Sequence, residues 1–291
     1  MFGRLFNSRF FVHWEVRRYN FHVPTPFYHL SLAQELSQHP GLPAELNCFL
    51  REQRCEFLFG NTAPDVQVVA GLPREHTHFF NLPIRAEDPP AWEVLLSRYP
   101  QLADAGSLPP GEAAFVAGYL CHLQADWLWI KRIFAPVFGP RCDWSSFEQR
   151  LYYHNVLRAY LDRCILPGLE AGMDACLCRA KPDSWLPFVG SRHLVEWRNF
   201  LSQQLLPGAA SQTVEVFSSR QGISAPEYYA LLGSQERMQK EVFEHISLEQ
   251  VQSYRQAVLD ENTRLITEYL AFALHHNHVR IEEHLPRGAC V

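Results

Sequence analysis

The sequence predicts an all-α fold, a single multi-helix bundle, and three observations predict it. The run from Phe115 to Ile130 is apolar on nearly every side, as a helix in the middle of a bundle must be. Helix-opening signals recur: Thr25 stands before Pro26, and Ser145, Ser224 and Ser247 are each followed three residues later by Glu or Gln. Only VQVVAG, at 66–71, reads as a strand, and a lone strand has no pairing partner.

The first helix is predicted over 26–37, with Thr25 as N-cap and Pro26 at the first helical position, where its missing N–H costs nothing. Prolines then punctuate helices over 43–53 and 90–98. The central buried helix covers 110–134. Helices over 144–165, 193–205, 211–219, 226–241 and 248–275 follow, bounded by Pro167, Pro207 and the three capping serines.

No repeat, low-complexity tract or long linker divides the chain, so residues 24–291 read as one domain behind an N-terminal extension, residues 1–23. The apolar runs of that extension are broken by Arg9, His13, Glu15 and Arg17, so it lacks the core of a signal peptide. A GTG start codon at Val23 would make residues 1–22 untranslated; peptides from 1–22 in the native protein would refute that expectation.

Composition sets limits on function. With 291 residues and 47% hydrophobic content the chain can bury a large core. A net charge of −5 gives no general attraction to nucleic acid or to anionic membrane, so any phosphate-bearing partner must be held by a local site. The eight cysteines form no Cys-x-x-Cys pair, and with no signal peptide recognised they read as reduced thiols of a cytoplasmic protein. The central helix does not read as a membrane span. His122, Gln124 and Asp126 interrupt the ~20 apolar residues a span needs, and a central carboxylate costs at least ~2.5 kcal/mol on insertion.

Those same polar residues pose the functional question. At i, i+4, His122 and Asp126 project from one face of a helix that is otherwise to be buried, and both can reach one cation. Alone, the pair is explained by a core hydrogen bond. Other regions add Asp65 after Pro64, His76 and His78 before two phenylalanines, and His29 one turn into the first helix. His154, Arg158 and Asp162 follow at successive i, i+4 positions. Neutral imidazoles and carboxylates drawn from separate helices are how a bundle builds a zinc site in its core.

The segments FYHLSLAQEL, FLFGNTAPDV, THFF and GYLCHLQADWLW, within residues 24–165, resemble the zinc-dependent phospholipase C family, related in fold to the fungal-type single-strand nucleases. The resemblance implies an all-α fold and a cluster of up to three zinc ions, two being expected here with one or three as alternatives. It places His29, Asp65, His78, His122 and Asp126 at ligand positions, Asp126 as the bridging carboxylate, and His154 at a ligand of a further zinc.

Departures from the family pattern carry as much information. Arg132 stands where the family has a further His about six residues after the bridging Asp, and Arg158 where it has an acidic ligand four residues beyond the position of His154. A guanidinium there would bind phosphate directly. The secreted members' free N-terminal ligand cannot exist with residues 1–22 attached. Val66 and Glu75 occupy the headgroup-cage positions, so no aromatic cage selects choline.

The expected activity is hydrolysis of a phosphodiester or phospholipid headgroup, with zinc lowering the pKa of water towards ~7. Asp65 or Asp126 would orient the nucleophile, and Arg158 or Arg132 would neutralise the phosphoryl oxygens. A rival reading is a non-catalytic helical protein with a closed structural zinc; a blander one is an interaction protein with polar core pairs and no metal. His275, His276 and His278 near the chain end are assigned no role, since adjacent histidines at a helix C-terminus complement its dipole.

Overall fold

The computed structural model describes residues 23–284, with side chains through residue 271; the N-terminal extension before Val23 and the three late histidines lie outside the described residues or side chains. Every regular element among the described residues is helical, as predicted. The longer helices are α1 (Pro26–Leu36), α2 (Ala44–Glu52), α3 (Arg54–Gly60), α4 (Ala91–Arg98), α5 (Pro110–Trp129), α6 (Phe147–Ile165), α7 (Met173–Arg179), α8 (Ser191–Gln204), α9 (Thr213–Gln221), α10 (Ala225–Leu232) and α11 (Leu248–His284).

Helix α5 is the axis of the bundle: every residue from Ala113 to Trp129 is buried. It continues into a π-helical turn, Ile130–Phe134, so the predicted 110–134 element is continuous but changes pitch at Ile130. Among the described residues, no helix is long and apolar enough to cross a membrane. Helices α3 and α5 share the most extensive contact in the fold. Two glycines allow it. A Cβ on Gly60 would drive into the Phe115 carbonyl oxygen, and one on Gly118 into that of Phe57. Backbone against backbone, the α3 C-terminus is thereby set one turn from His122.

Neighbouring helices fix the loops at that end through buried hydrogen bonds. The Trp197 indole N–H of α8 donates to the Thr62 carbonyl at 2.8 Å, holding the turn before Asp65. Tyr119 of α5 donates its hydroxyl to the Thr77 carbonyl at 2.6 Å, holding the short helix Glu75–His78. That helix ends on Phe79, a non-glycine residue with φ 59°, which is kept in the left-handed region by rings of Tyr99 and Phe188. Tyr254 and Asn262 of α11 donate to the Ala125 and Cys121 carbonyls and clamp the far side of α5.

Several expectations need correction. Residues 66–71 form no strand: Ala63–Val66 is a 3-10 turn and Gln67–Ala70 a helical one, because the apolar run packs as part of a helical connection. The predicted 226–241 helix breaks at Gly233 into α10 and a separate helical turn. Of the capping boxes, Ser247 and Gln250 form theirs reciprocally, at 2.9 and 3.2 Å. The cap of α6 is Ser146 rather than Ser145, with Gln149 as its partner, and Ser224 caps α10 without a side-chain bond. The reduced-thiol expectation fails for one pair: Cys55 of α3 and Cys176 of α7, 121 residues apart, form a disulfide. Spacing along the chain cannot reveal so remote a partner, and disulfides persist in oxidising surroundings.

Candidate metal centre

Helix α1 supplies His29. Its N-terminus is built as predicted: Thr25 Oγ accepts the Tyr28 N–H at 3.2 Å. The turn after α3 supplies Asp65, the Glu75–His78 helix supplies His78, and α5 supplies His122 and Asp126. All five are buried, His29, His78, His122 and Asp126 at 0% exposure.

The ligand atoms converge. His78 Nε2 lies 3.5 Å from Asp65 Oδ1 and 3.5 Å from Asp126 Oδ2. His122 Nε2 lies 3.5 Å from Asp126 Oδ2 and 3.4 Å from His78 Nε2. The other Asp126 oxygen, Oδ1, faces His29 Nε2 at 3.2 Å. Two groups able to hold an ion result, His29–His122–Asp126 and Asp65–His78–His122. Zinc bound tetrahedrally at about 2.0–2.2 Å requires ligand atoms about 3.3–3.6 Å apart, so the observed spacings are those of a tetrahedron's edges.

Orientation around the centre also fits a cation. His122 Nδ1 lies 2.8 Å from the Asn61 carbonyl and His78 Nδ1 3.3 Å from the Arg74 carbonyl; a proton on each Nδ1 leaves both Nε2 lone pairs facing inward. Polar atoms are buried at the same place with little to satisfy them: apart from their mutual approach at 3.2 Å, both nitrogens of His29 and Asp126 Oδ1 make no hydrogen bond. A bound ion is the simplest means of satisfying them.

Protonation follows from burial and charge. Burial pushes His29 below the ordinary imidazole value, with His122 reinforcing the shift. His78 is lowered to about 4 by burial and then by Arg74. Burial acts the same way on His122, but Asp126 and Asp65 together outweigh it and raise the value. The His29 and His122 rings stack at 3.8 Å, so charge on either ring disfavours charge on the other. Burial alone would raise Asp126, yet His122, His29 and Arg74 hold it well below the carboxylate range. Asp65 is lowered likewise, chiefly by His78 and His122.

The other predicted residues belong to neither ion-holding group. His154 is buried against the rings of Phe134 and Phe138, and its Nε2 accepts the Trp129 indole N–H at 3.0 Å; that lone pair is not aimed at the ion-holding groups. Arg132 sits in the π-helical turn, 46% exposed, paired with Glu261 at 3.5 Å on the surface, so it is not at the site. Arg158 is buried and feels the charges of Asp65 and Asp126. Asp162 accepts from Thr25 Oγ and, at 2.6 Å, from Thr213 Oγ, tying the N-termini of α1 and α9 to α6. His76 belongs to neither group.

Sequence reasoning missed Arg74. Its guanidinium pairs with Asp126 Oδ2 and its carbonyl accepts from His78. The available signal was its spacing, i−4 from His78 in REHTH, which mirrors that of His122 and Asp126. No family model, curated protein or solved structure matches the chain.

Proposed function

We propose that the chain is a metal-dependent phosphoester hydrolase with zinc as the resident ion. The observation that carries the reading is the set of 3.4–3.5 Å separations among the ligand atoms of Asp65, His78, His122 and Asp126. Zinc in this position supplies Lewis acidity towards phosphoryl oxygens and lowers the pKa of water towards neutrality. Borderline-soft nitrogen ligands with carboxylates favour it over magnesium or calcium, which take oxygen.

The protein's own groups supply positioning. Asp126, with one oxygen towards His29 and the other towards His78 and His122, is the carboxylate able to link two ions. Asp65, whose side chain keeps 6% exposure against 0% for Asp126, is the better placed to orient an attacking water. Arg158 contributes fixed positive charge where negative charge develops on the phosphoryl oxygens. Phosphodiesters and phospholipid headgroups enter as candidate substrates through the motif resemblance alone.

One observation favours a second reading. Asp65, His78, His122 and Asp126 supply four ligands, enough to saturate one ion and close the site as structural zinc sites are closed. His29 separates the two. Metal analysis of protein purified without nickel or chelator should give two zinc equivalents, falling to one in His29→Ala with loss of phosphoesterase activity. One equivalent in both proteins would establish the closed structural site, and no zinc after reconstitution would refute the centre.

A further inference from the structure

Asp126 Oδ2 is engaged by a cation even without a metal. Arg74, in the turn before Glu75–His78, pairs with it through its guanidinium, and the Nε2 atoms of His78 and His122 each approach the same oxygen to 3.5 Å. The other oxygen, Oδ1, faces His29 Nε2 at 3.2 Å. The oxygen on which two candidate metal-ligating imidazoles converge is therefore the one that a protein cation already holds.

Arg74 is built into this position. Its side chain is 7% exposed, its guanidinium carbon lies 4.9 Å from the centre of the Phe80 ring, and Phe80 packs edge-on to Trp127 at 5.7 Å. Its main chain serves the same centre, since its carbonyl accepts from His78 Nδ1 at 3.3 Å. Its Nε is buried and makes no hydrogen bond. A guanidinium that leaves a buried donor unsatisfied is held in place by the charge of Asp126 rather than by a closed hydrogen-bond network.

Charge then sets up a conflict with a metal ion. Asp65 and Asp126 bring two buried negative charges and Arg74 one positive. With the imidazoles as neutral ligands, a dication added to the centre leaves one positive charge in excess, whereas without Arg74 it balances the carboxylates. Ion and guanidinium also compete for one oxygen, and like charges in a buried site are screened far less than at a surface.

We infer that Arg74 is the resident cation of the centre: it holds Asp126 Oδ2 while the ion is absent, stabilises the empty site, and must yield that oxygen for zinc to bind, which makes the zinc exchangeable and its loading responsive to free zinc; this rests on the zinc reading proposed above. Removing the guanidinium therefore tightens zinc binding while weakening the metal-free fold. A merely structural residue gives the opposite sign, because its loss weakens zinc binding along with the fold.

The test uses the full-length chain stripped of metal by a chelator, with zinc alone as the probe. Zinc affinity is measured by competition with a chromophoric chelator, and melting by circular dichroism. Arg74→Gln should melt below the parent without zinc, yet bind zinc roughly tenfold or more tightly and gain more melting temperature from it. Arg74→Lys, which keeps the charge, should bind zinc within about threefold of the parent. If Arg74→Gln is unfolded without metal, zinc should restore its helicity; a variant that zinc does not refold needs Arg74 in both states and overturns the resident-cation role. An Arg74→Gln affinity equal to or weaker than that of the parent overturns that role and leaves the zinc reading standing. Failure of both parent and variant to bind zinc overturns the two together.

Discussion

Replacing Asp126 by Asn tests the centre through stability rather than turnover. In the metal-free chain Asp126 is the counter-charge of Arg74, and the two side chains are 0% and 7% exposed, so solvent does little to screen the loss. Stranding one partner of a buried ion pair costs about 3–5 kcal/mol. For a chain of this size about 2 °C of melting temperature accompanies each kcal/mol, so Asp126→Asn should melt about 6–10 °C below the parent. Adding Arg74→Gln removes the stranded charge and should recover more than half of that loss. Zinc at a hundredfold over its Kd stabilises by about 2.7 kcal/mol, so the parent should gain about 5 °C and Asp126→Asn nothing. Thermal melts followed by circular dichroism, with and without zinc, measure all of this. If Asp126→Asn melts within about 2 °C of the parent and keeps the zinc shift, Asp126 is neither counter-ion nor ligand.

Zinc uptake should release protons, increasingly as the pH falls, because Asp126 and Asp65 outweigh burial and raise the His122 pKa and a ligand must be deprotonated; titration in buffers of different ionisation enthalpy reads this, and no buffer dependence would contradict it. Without metal, two buried groups oppose each other below neutrality. His78, held at about 4 against an ordinary 6.5, stays neutral while the unfolded chain takes a proton, so stability present above pH 6.5 is lost as the pH falls to about 4. Asp162, raised to about 6 from 3.8 by burial, has the reverse effect: its stability is present below pH 3.8 and lost as the pH rises to about 6. Asp162→Asn should therefore make stability rise about 2 kcal/mol more between pH 4 and 6 than in the parent, measured by urea unfolding; parallel curves would refute the assignment. Opening the Cys55–Cys176 link, which spans 121 residues, should cost up to about 5 kcal/mol by loop-closure entropy; equal urea midpoints for Cys55→Ser and the parent under non-reducing conditions would argue against the bond.

Those residues whose message is local were legible in the sequence. The central helix could be read because a run apolar on every side admits few environments, and His122 and Asp126 could be read because burial makes their polarity costly. Thr25 and Pro26 announced α1 by a rule acting within four residues. What escaped depended on contacts between distant segments. Arg74 in LPREHTH reads as a solvated charge until the turn is placed against α5. The 66–71 stretch reads as a strand because periodicity alone cannot separate short buried helical turns from extended chain.

The number of ions the centre could hold turns on one lone pair. His122 belongs to both ion-holding groups, but its Nδ1 proton is committed to the Asn61 carbonyl, so Nε2 can serve only one ion. The two groups are therefore alternatives at His122 rather than independent sites, and two ions require the bridge that Asp126 offers with its separate oxygens. If His122 joins His78 and Asp65, the second ion is left with His29 and Asp126 alone among these five residues and needs further ligands from water or substrate. An under-ligated ion of that kind is the weaker binder, and it is also the one with positions open to a phosphoryl oxygen. The asymmetry that would make a second ion easy to lose is thus the same one that would make the centre catalytic, which is why the fate of one zinc equivalent in His29→Ala would separate an enzyme from a structural site.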